Sequence, residues 1–165
     1  MGEFADDVIL RLKDQLAQSC SSYTWNTEHR IAETPVDVVG IGNEQHVLIE
    51  LEWRRADPAD NVAKIFRHLS TSEVTTDKIM ILQLFTNYYN LISGGVSSKR
   101  KNAEFVGETA ADSLENLTYY PLDFEINPPK AGEVRPSEWK SIADSMATMV
   151  SGKVECSGSG ENFNI

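Results

Sequence analysis

Residues 35–55 read PVDVVGIGNEQHVLIELEWRR, and the fold turns on the two apolar runs inside this stretch. Val36, Val38 and Val39 surround Asp37, while Val47, Leu48, Ile49, Leu51 and Trp53 surround Glu50 and Glu52. Such β-branched and aromatic runs predict strands over 36–42 and 46–53, joined by a turn at Asn43-Glu44-Gln45. A buried carboxylate costs several kcal/mol unless it is paired or binds a metal. Three acids in two adjoining strands therefore need a physical reason. Strand alternation places His46, Leu48, Glu50, Glu52 and Arg54 on one, more polar face, and Val47, Ile49, Leu51 and Trp53 on the other, which is core. Glu50 and Glu52 then stand about 6.6–6.8 Å apart along the strand, and the hairpin brings Asp37 toward Glu50. Carboxylates converging from two strands repel unless a proton or cation lies between them. Magnesium is the economical occupant, because it takes oxygen ligands and often only one or two carboxylates with water.

Outward from this hairpin the elements follow their periodicities. Phe4, Val8, Ile9, Leu12 and Leu16 recur at helical spacing and predict a helix over 4–18. Residues 23–32 alternate as a strand. Asp57 and Pro58 open a helix over 59–69 whose buried stripe is Val62, Ile65, Phe66 and Leu69. KIMILQLFT (78–86) is a further strand. Helical composition over 99–116 is weakened by Gly107, and a strand over 117–126 carries Pro121, which points to an edge or a bulge. Ser137 is the expected cap of a last helix through Val150. The order is α-β-β-β-α-β followed by α-β-α, which predicts an α/β fold with a mixed central sheet flanked by helices. One domain is expected over 1–150, with a flexible Gly/Ser-containing tail over 151–165.

The spacing Asp37-x12-Glu50-x-Glu52, on the second and third strands of an αβββαβ core, resembles the PD-(D/E)XK (restriction endonuclease-like) nuclease superfamily. The first half of the motif stands as Pro35-Val36-Asp37 with one residue inserted. The second half is Glu50-Leu51-Glu52, the E-x-E variant, in which glutamate replaces the usual lysine. The resemblance covers roughly residues 4–86. It implies that Asp37 and Glu50 ligate Mg2+ (or Mn2+), that Glu52 acts as general base or holds water, and that Lys64 on the following helix replaces the missing lysine. Arg54 would steady transition-state charge. An acid of the first helix (Glu3, Asp6 or Asp7) or Glu28 on the first strand would join the site. The implied activity is metal-dependent hydrolysis of DNA phosphodiester bonds, by a chain that pairs as a homodimer.

Composition bounds these expectations. The 165 residues carry 15 Lys and Arg against 25 Asp and Glu, a formal net charge of −10, which argues against coating nucleic acid by charge alone. SSKRK (97–101) is the one basic cluster, and Lys99, Arg100 and Lys101 are candidate phosphate contacts. Tyr88, Tyr89, Tyr119 and Tyr120 either stack on bases or pack in the core. No apolar run approaches the roughly 20 residues that cross a bilayer, and no signal-peptide layout opens the chain. A cytoplasmic protein without a membrane partner is expected. Cys20 and Cys156 neither demand nor exclude a disulfide. Two other functions stay open: a nuclease-fold module that binds or regulates without catalysis, and an acidic mimic of DNA. For Glu50 and Glu52 the plainer alternative is a solvated strand face paired with Arg30, Arg54 or Arg55.

Overall fold

The computed structural model of the protein describes residues 2–71, 78–130 and 132–154. Its elements run α1 (Glu3–Ser19), β1 (Thr24–Ile31), β2 (Thr34–Ile41), β3 (Gln45–Glu52), α2 (Ala59–Ser70), β4 (Lys78–Thr86), α3 (Ser98–Ser113), β5 (Leu117–Phe124) and α4 (Trp139–Lys153), with a 3-10 turn at Asn87–Tyr89. The five strands form one sheet in sequence order. β1–β2 and β2–β3 are antiparallel, joined by tight turns, whereas β3–β4 and β4–β5 are parallel. Parallel neighbours need a long crossover, and α2 and α3 supply the two. The fold is α/β, with a five-stranded mixed sheet flanked by helices.

Two apolar layers explain why β3 and β4 are so uniformly hydrophobic. On one face Leu12 and Leu16 of α1 and Met146 and Val150 of α4 pack with Val47, Ile49 and Leu51 of β3. On the other, Val62 and Ile65 of α2 and Ala110 of α3 pack with Leu48, Ile81 and Tyr119. A parallel strand covered on both faces reads as a continuous apolar run rather than an alternation. The expected polar, half-solvated face of β3 is therefore absent: Glu50 and Glu52 are 1% and 0% exposed. A solvated strand face does not describe them.

Smaller departures have local causes. α4 continues to Lys153, so the expected boundary at 150 falls inside a helix; Cys156 and the rest of the expected tail from 155 onward lie outside the described residues, as do 72–77 between α2 and β4. Glu138, not Ser137, occupies the cap position of α4, because the Ser137 hydroxyl donates to the Glu138 carboxylate instead. Pro58, not Asp57, occupies the cap position of α2, with the Asp57 carboxylate one residue before it accepting from Ala59 N–H. The inward stripe of α2 is Asn61, Val62, Ile65 and His68, with Phe66 and Leu69 only partly buried beside it. β5, with Pro121, is an edge strand of the sheet.

Gly107 is a requirement of packing. A Cβ there would lie 2.3 Å from the Tyr119 ring, which is held by its hydroxyl on Gln83. Gly107→Ala should gain about 1 kcal/mol of helix propensity and lose about 1–3 kcal/mol to overpacking. The expected net result is a lower Tm, by a few degrees. A calorimetric scan showing a raised Tm would mean that α3 and β5 can separate freely.

Candidate functional site

The ladder between β2 and β3 stops early. It runs from Ile41–His46 to Val38–Ile49, although β2 continues back to Thr34 and β3 forward to Glu52. The next position pairs Asp37 with Glu50 in the same register, and there the strands part. Leu51 N–H, which an unbroken ladder would give to a β2 carbonyl, donates to Asp37 Oδ2 at 2.8 Å. A carboxylate thus fills the fork. On the other side of β2 the register passes from Thr27–Val38 to His29–Val36 without a pair at Glu28 and Asp37. Glu28 has φ 54° there, a left-handed conformation costing a non-glycine residue about 1–2 kcal/mol. Strain of this kind persists where its surroundings enforce it, often beside functional groups.

The other two acids are held from the sheet and from α2. Asn61 Nδ2 donates to Glu50 Oε2 at 3.0 Å, leaving Glu50 Oε1 buried with no hydrogen-bond partner. Gln83 Nε2, on the adjoining β4, donates to Glu52 Oε1 at 2.7 Å and to the Pro58 carbonyl at 2.9 Å. Pro58 O can only accept, so the Gln83 amide nitrogen must face it. Gln83 Oε1 is left to accept from Tyr119 at 2.7 Å. Glu52 Oε1 is therefore occupied as an acceptor, and Glu52 Oε2 is buried without a hydrogen bond, 4.0 Å from Arg55 Nε.

Charge follows this geometry. Burial, and after it the charges of Asp37 and Glu52, push the Glu50 carboxyl well above its usual range. Burial pushes Glu52 up to about 7, against the opposing pull of Gln83 and Arg55. Asp37 is raised by burial too, with Leu51 N–H and Arg55 holding it down. A groove of about 530 Å3 opens beside the fork, lined among others by Asp6, Glu28, Arg30, Asp37 and Arg55. Among the described residues no three His, Cys, Asp or Glu side chains converge into a ready metal cage. Magnesium needs only one or two carboxylates, and two partnerless buried oxygens beside Asp37 are a donor set that fits a hard cation.

The structure brings Asp37, Glu50 and Glu52 together and separates the other sequence candidates. Lys64 lies exposed on α2 with its Nζ on Asp60; the α2 residue that reaches the acids is Asn61. β3 ends at Glu52, and Trp53 N–H turns back to Leu51 O, so alternation lapses and Arg55 rather than Arg54 meets Glu52. Arg54 is exposed, over the Tyr88 ring at 5.3 Å. Lys99 and Lys101 are exposed on the first turn of α3, but Arg100 is buried between Glu104 and Asp123. Of the first-helix acids, Glu3 and Asp7 pair with Arg135, and Asp6 faces the groove with Asp37. Tyr89 and Tyr119 are core residues. Asn61 and Gln83 were not singled out by the sequence, and Arg55 entered it only as one of three possible partners of Glu50 and Glu52, of which it is the one that meets Glu52.

The raised acid pKa values fix the sign of a pH effect on the metal-free chain. A group that keeps its proton to higher pH when folded makes stability fall as pH rises from the unfolded value, 4.5, to the folded one, about 7 for Glu52, and the loss is constant above that. Glu52→Gln should therefore stabilise metal-free protein by up to about 3 kcal/mol at pH 8 and by almost nothing at pH 4.5. Urea titrations at the two pH values measure this. An equal effect at both would place the Glu52 proton elsewhere. In comparisons with known proteins, no family model and no curated protein matches the chain.

Proposed function

We propose that the chain is a metal-dependent endonuclease of restriction endonuclease-like fold that hydrolyses DNA phosphodiester bonds. The observation that carries the reading is the pair of buried, partnerless oxygens, Glu50 Oε1 and Glu52 Oε2, beside Asp37 where β2 and β3 part. The element order and the mixed sheet support the fold assignment, as does the Asp37-x12-Glu50-x-Glu52 spacing. Asp37 and Glu50 would hold Mg2+ or Mn2+, which when bound supplies charge to the phosphoryl oxygens and acidity to an attacking water.

Each residue has its own task. Leu51 N–H sets the angle of Asp37, and Asn61 leaves one oxygen of Glu50 open. Gln83 leaves Oε2 as the reactive oxygen of Glu52. With its carboxyl near pH 7, Glu52 can accept a proton under neutral conditions, where general bases work best. Arg55 supplies the positive charge that the motif lysine would bring. Its backbone is pinned by Tyr89, whose hydroxyl accepts from Arg55 N–H at 3.0 Å.

Purified protein should cut plasmid DNA with Mg2+ or Mn2+. Stabilisation of this kind amounts to several kcal/mol, so Asp37→Ala and Glu50→Ala should each lower the rate by more than about a hundredfold. Arg55→Ala should lower it about tenfold and leave Mn2+ binding, read by calorimetry, intact. Parent-like cutting by the Asp37 and Glu50 variants would sink the assignment. Mn2+ binding without cutting would favour a module that keeps the fold and lacks the chemistry.

A further inference from the structure

β4 leads directly from the site into a turn that exposes apolar side chains. Leu91 and Tyr88 are about half exposed and Ile92 wholly so. The turn is built rather than loose. Leu91 N–H donates to Gly95 O at 2.9 Å, Gly94 N–H to Leu91 O at 3.0 Å, and Ser97 N–H to Tyr89 O at 2.7 Å. Asn90 and Val96 form a bridge, and Gly94 and Gly95 take φ of 90° and 78°, which glycine adopts freely. Its root is fixed to the carboxylate strand. The Thr86 hydroxyl donates to the Glu52 and Trp53 carbonyls, and Tyr89, fully buried, grips Arg55 through both backbone groups.

Charge around the turn is unlike the rest of the chain. No acidic residue occurs between Asp77 and Glu104, in a sequence with 25 Asp and Glu. Lys99 and Lys101 stand exposed just past the turn, and the Arg54 guanidinium lies over Tyr88. An aliphatic tip with Ile92 wholly and Leu91 half exposed, carried on a stretch without an acid of its own and followed by Lys99 and Lys101, suits a double-stranded polyanion with an apolar interior. Phosphates would meet Lys99, Lys101 and Arg54, while an aliphatic wedge can enter between base steps.

We propose, on the basis of the nuclease reading, that residues 87–96 form a wedge whose Ile92 and Leu91 enter the base stack of duplex DNA lying over Asp37 and Arg55, at the surface above the buried glutamates. From Tyr89 to Ile92 the chain spans at most about 10 Å, or about three steps of duplex at ~3.4 Å each. Distortion is thus localised within a few base pairs of the bond to be cut. The preferred substrate is duplex DNA that is already opened or easily kinked.

The test uses the full chain carrying Glu50→Gln, which keeps the shape of the carboxyl and removes a ligand charge, with duplexes bearing 2-aminopurine at successive positions. Binding should raise fluorescence at one step. Adding Ile92→Ser with Leu91→Ser should abolish the rise and weaken binding to intact duplex about tenfold, with under about threefold loss on a duplex containing a one-nucleotide gap, where unstacking is already done. Lys99→Ala with Lys101→Ala should weaken both duplexes alike and reduce the salt dependence. An unchanged fluorescence rise without Ile92 and Leu91, or equal losses on both duplexes, overturns the wedge while leaving the nuclease reading to the Asp37 and Glu50 variants. A shift from dimer to monomer on removing Ile92, with DNA binding intact, assigns the surface to a second copy instead. A chain that binds no duplex overturns both.

Discussion

Glu50 and Glu52 lie in the middle strand of a sheet covered on both faces, and much of the site's architecture accommodates them. Two carboxylates in that position could ionise together only against a counter-charge, since their repulsion in a poorly solvated site is severe. The surroundings supply partial relief of a directed kind: one amide donor from Asn61, one from Gln83, and Arg55 at 4.0 Å. None of these completes the set, and one oxygen of each acid is left bare. A structural ion pair would close both. An arrangement with two buried oxygens lacking hydrogen bonds is more costly to keep folded and better suited to taking a cation or proton.

That arrangement reaches well beyond the acids. Pro58 O and Tyr119 fix the Gln83 amide that holds Glu52, and the Tyr119 ring keeps its place only while position 107 of α3 carries no Cβ. A chain of contacts therefore ties the crossover helix α3 to the orientation of a single carboxylate on β3. The opposite side of the fork is held by a backbone N–H and a strained stretch of backbone. Asp37 takes the hydrogen bond that β2 no longer makes, and Glu28 adopts φ 54° across from it. The parted strands create the groove, and the same parting leaves Asp37 only half buried.

Element types and order were legible in the sequence because the apolar runs are long and their turns well marked; β4 spans 78–86 as read. The anomaly of Asp37, Glu50 and Glu52 was legible too, although their burial was not. Alternation assumes one wet face, and whether α2 folds back over Leu48 and Glu50 is a tertiary matter that no local period encodes. The choice of Arg55 over Arg54 as the partner of Glu52 was hidden for a similar reason, since a strand's last residue decides which neighbour faces inward. Signals for the other two did exist. Asn61 stands four residues before Ile65 and seven before His68, on the buried stripe of α2, and Gln83 is the lone polar residue inside KIMILQLFT, in register beside Glu50.

The net charge of −10 weighs less against a polyanionic partner than its size suggests. Protein charges farther than about 10 Å from a contact patch are largely screened at physiological salt, so the local distribution governs whether a bound strand stays. Glu50 and Glu52 add nothing to the surface, because they are buried, and Glu52 is only partly ionised at neutral pH in the absence of a cation. Arg11 offsets Asp144, while Arg135, shared by Glu3 and Asp7, and Arg100, shared by Glu104 and Asp123, each offset one charge of two. An acidic mimic of DNA would need its carboxylates exposed and in series. This chain buries Glu50 and Glu52 and leaves a 26-residue stretch, 78–103, without any acid. Net charge then slows the encounter with DNA without deciding the contact.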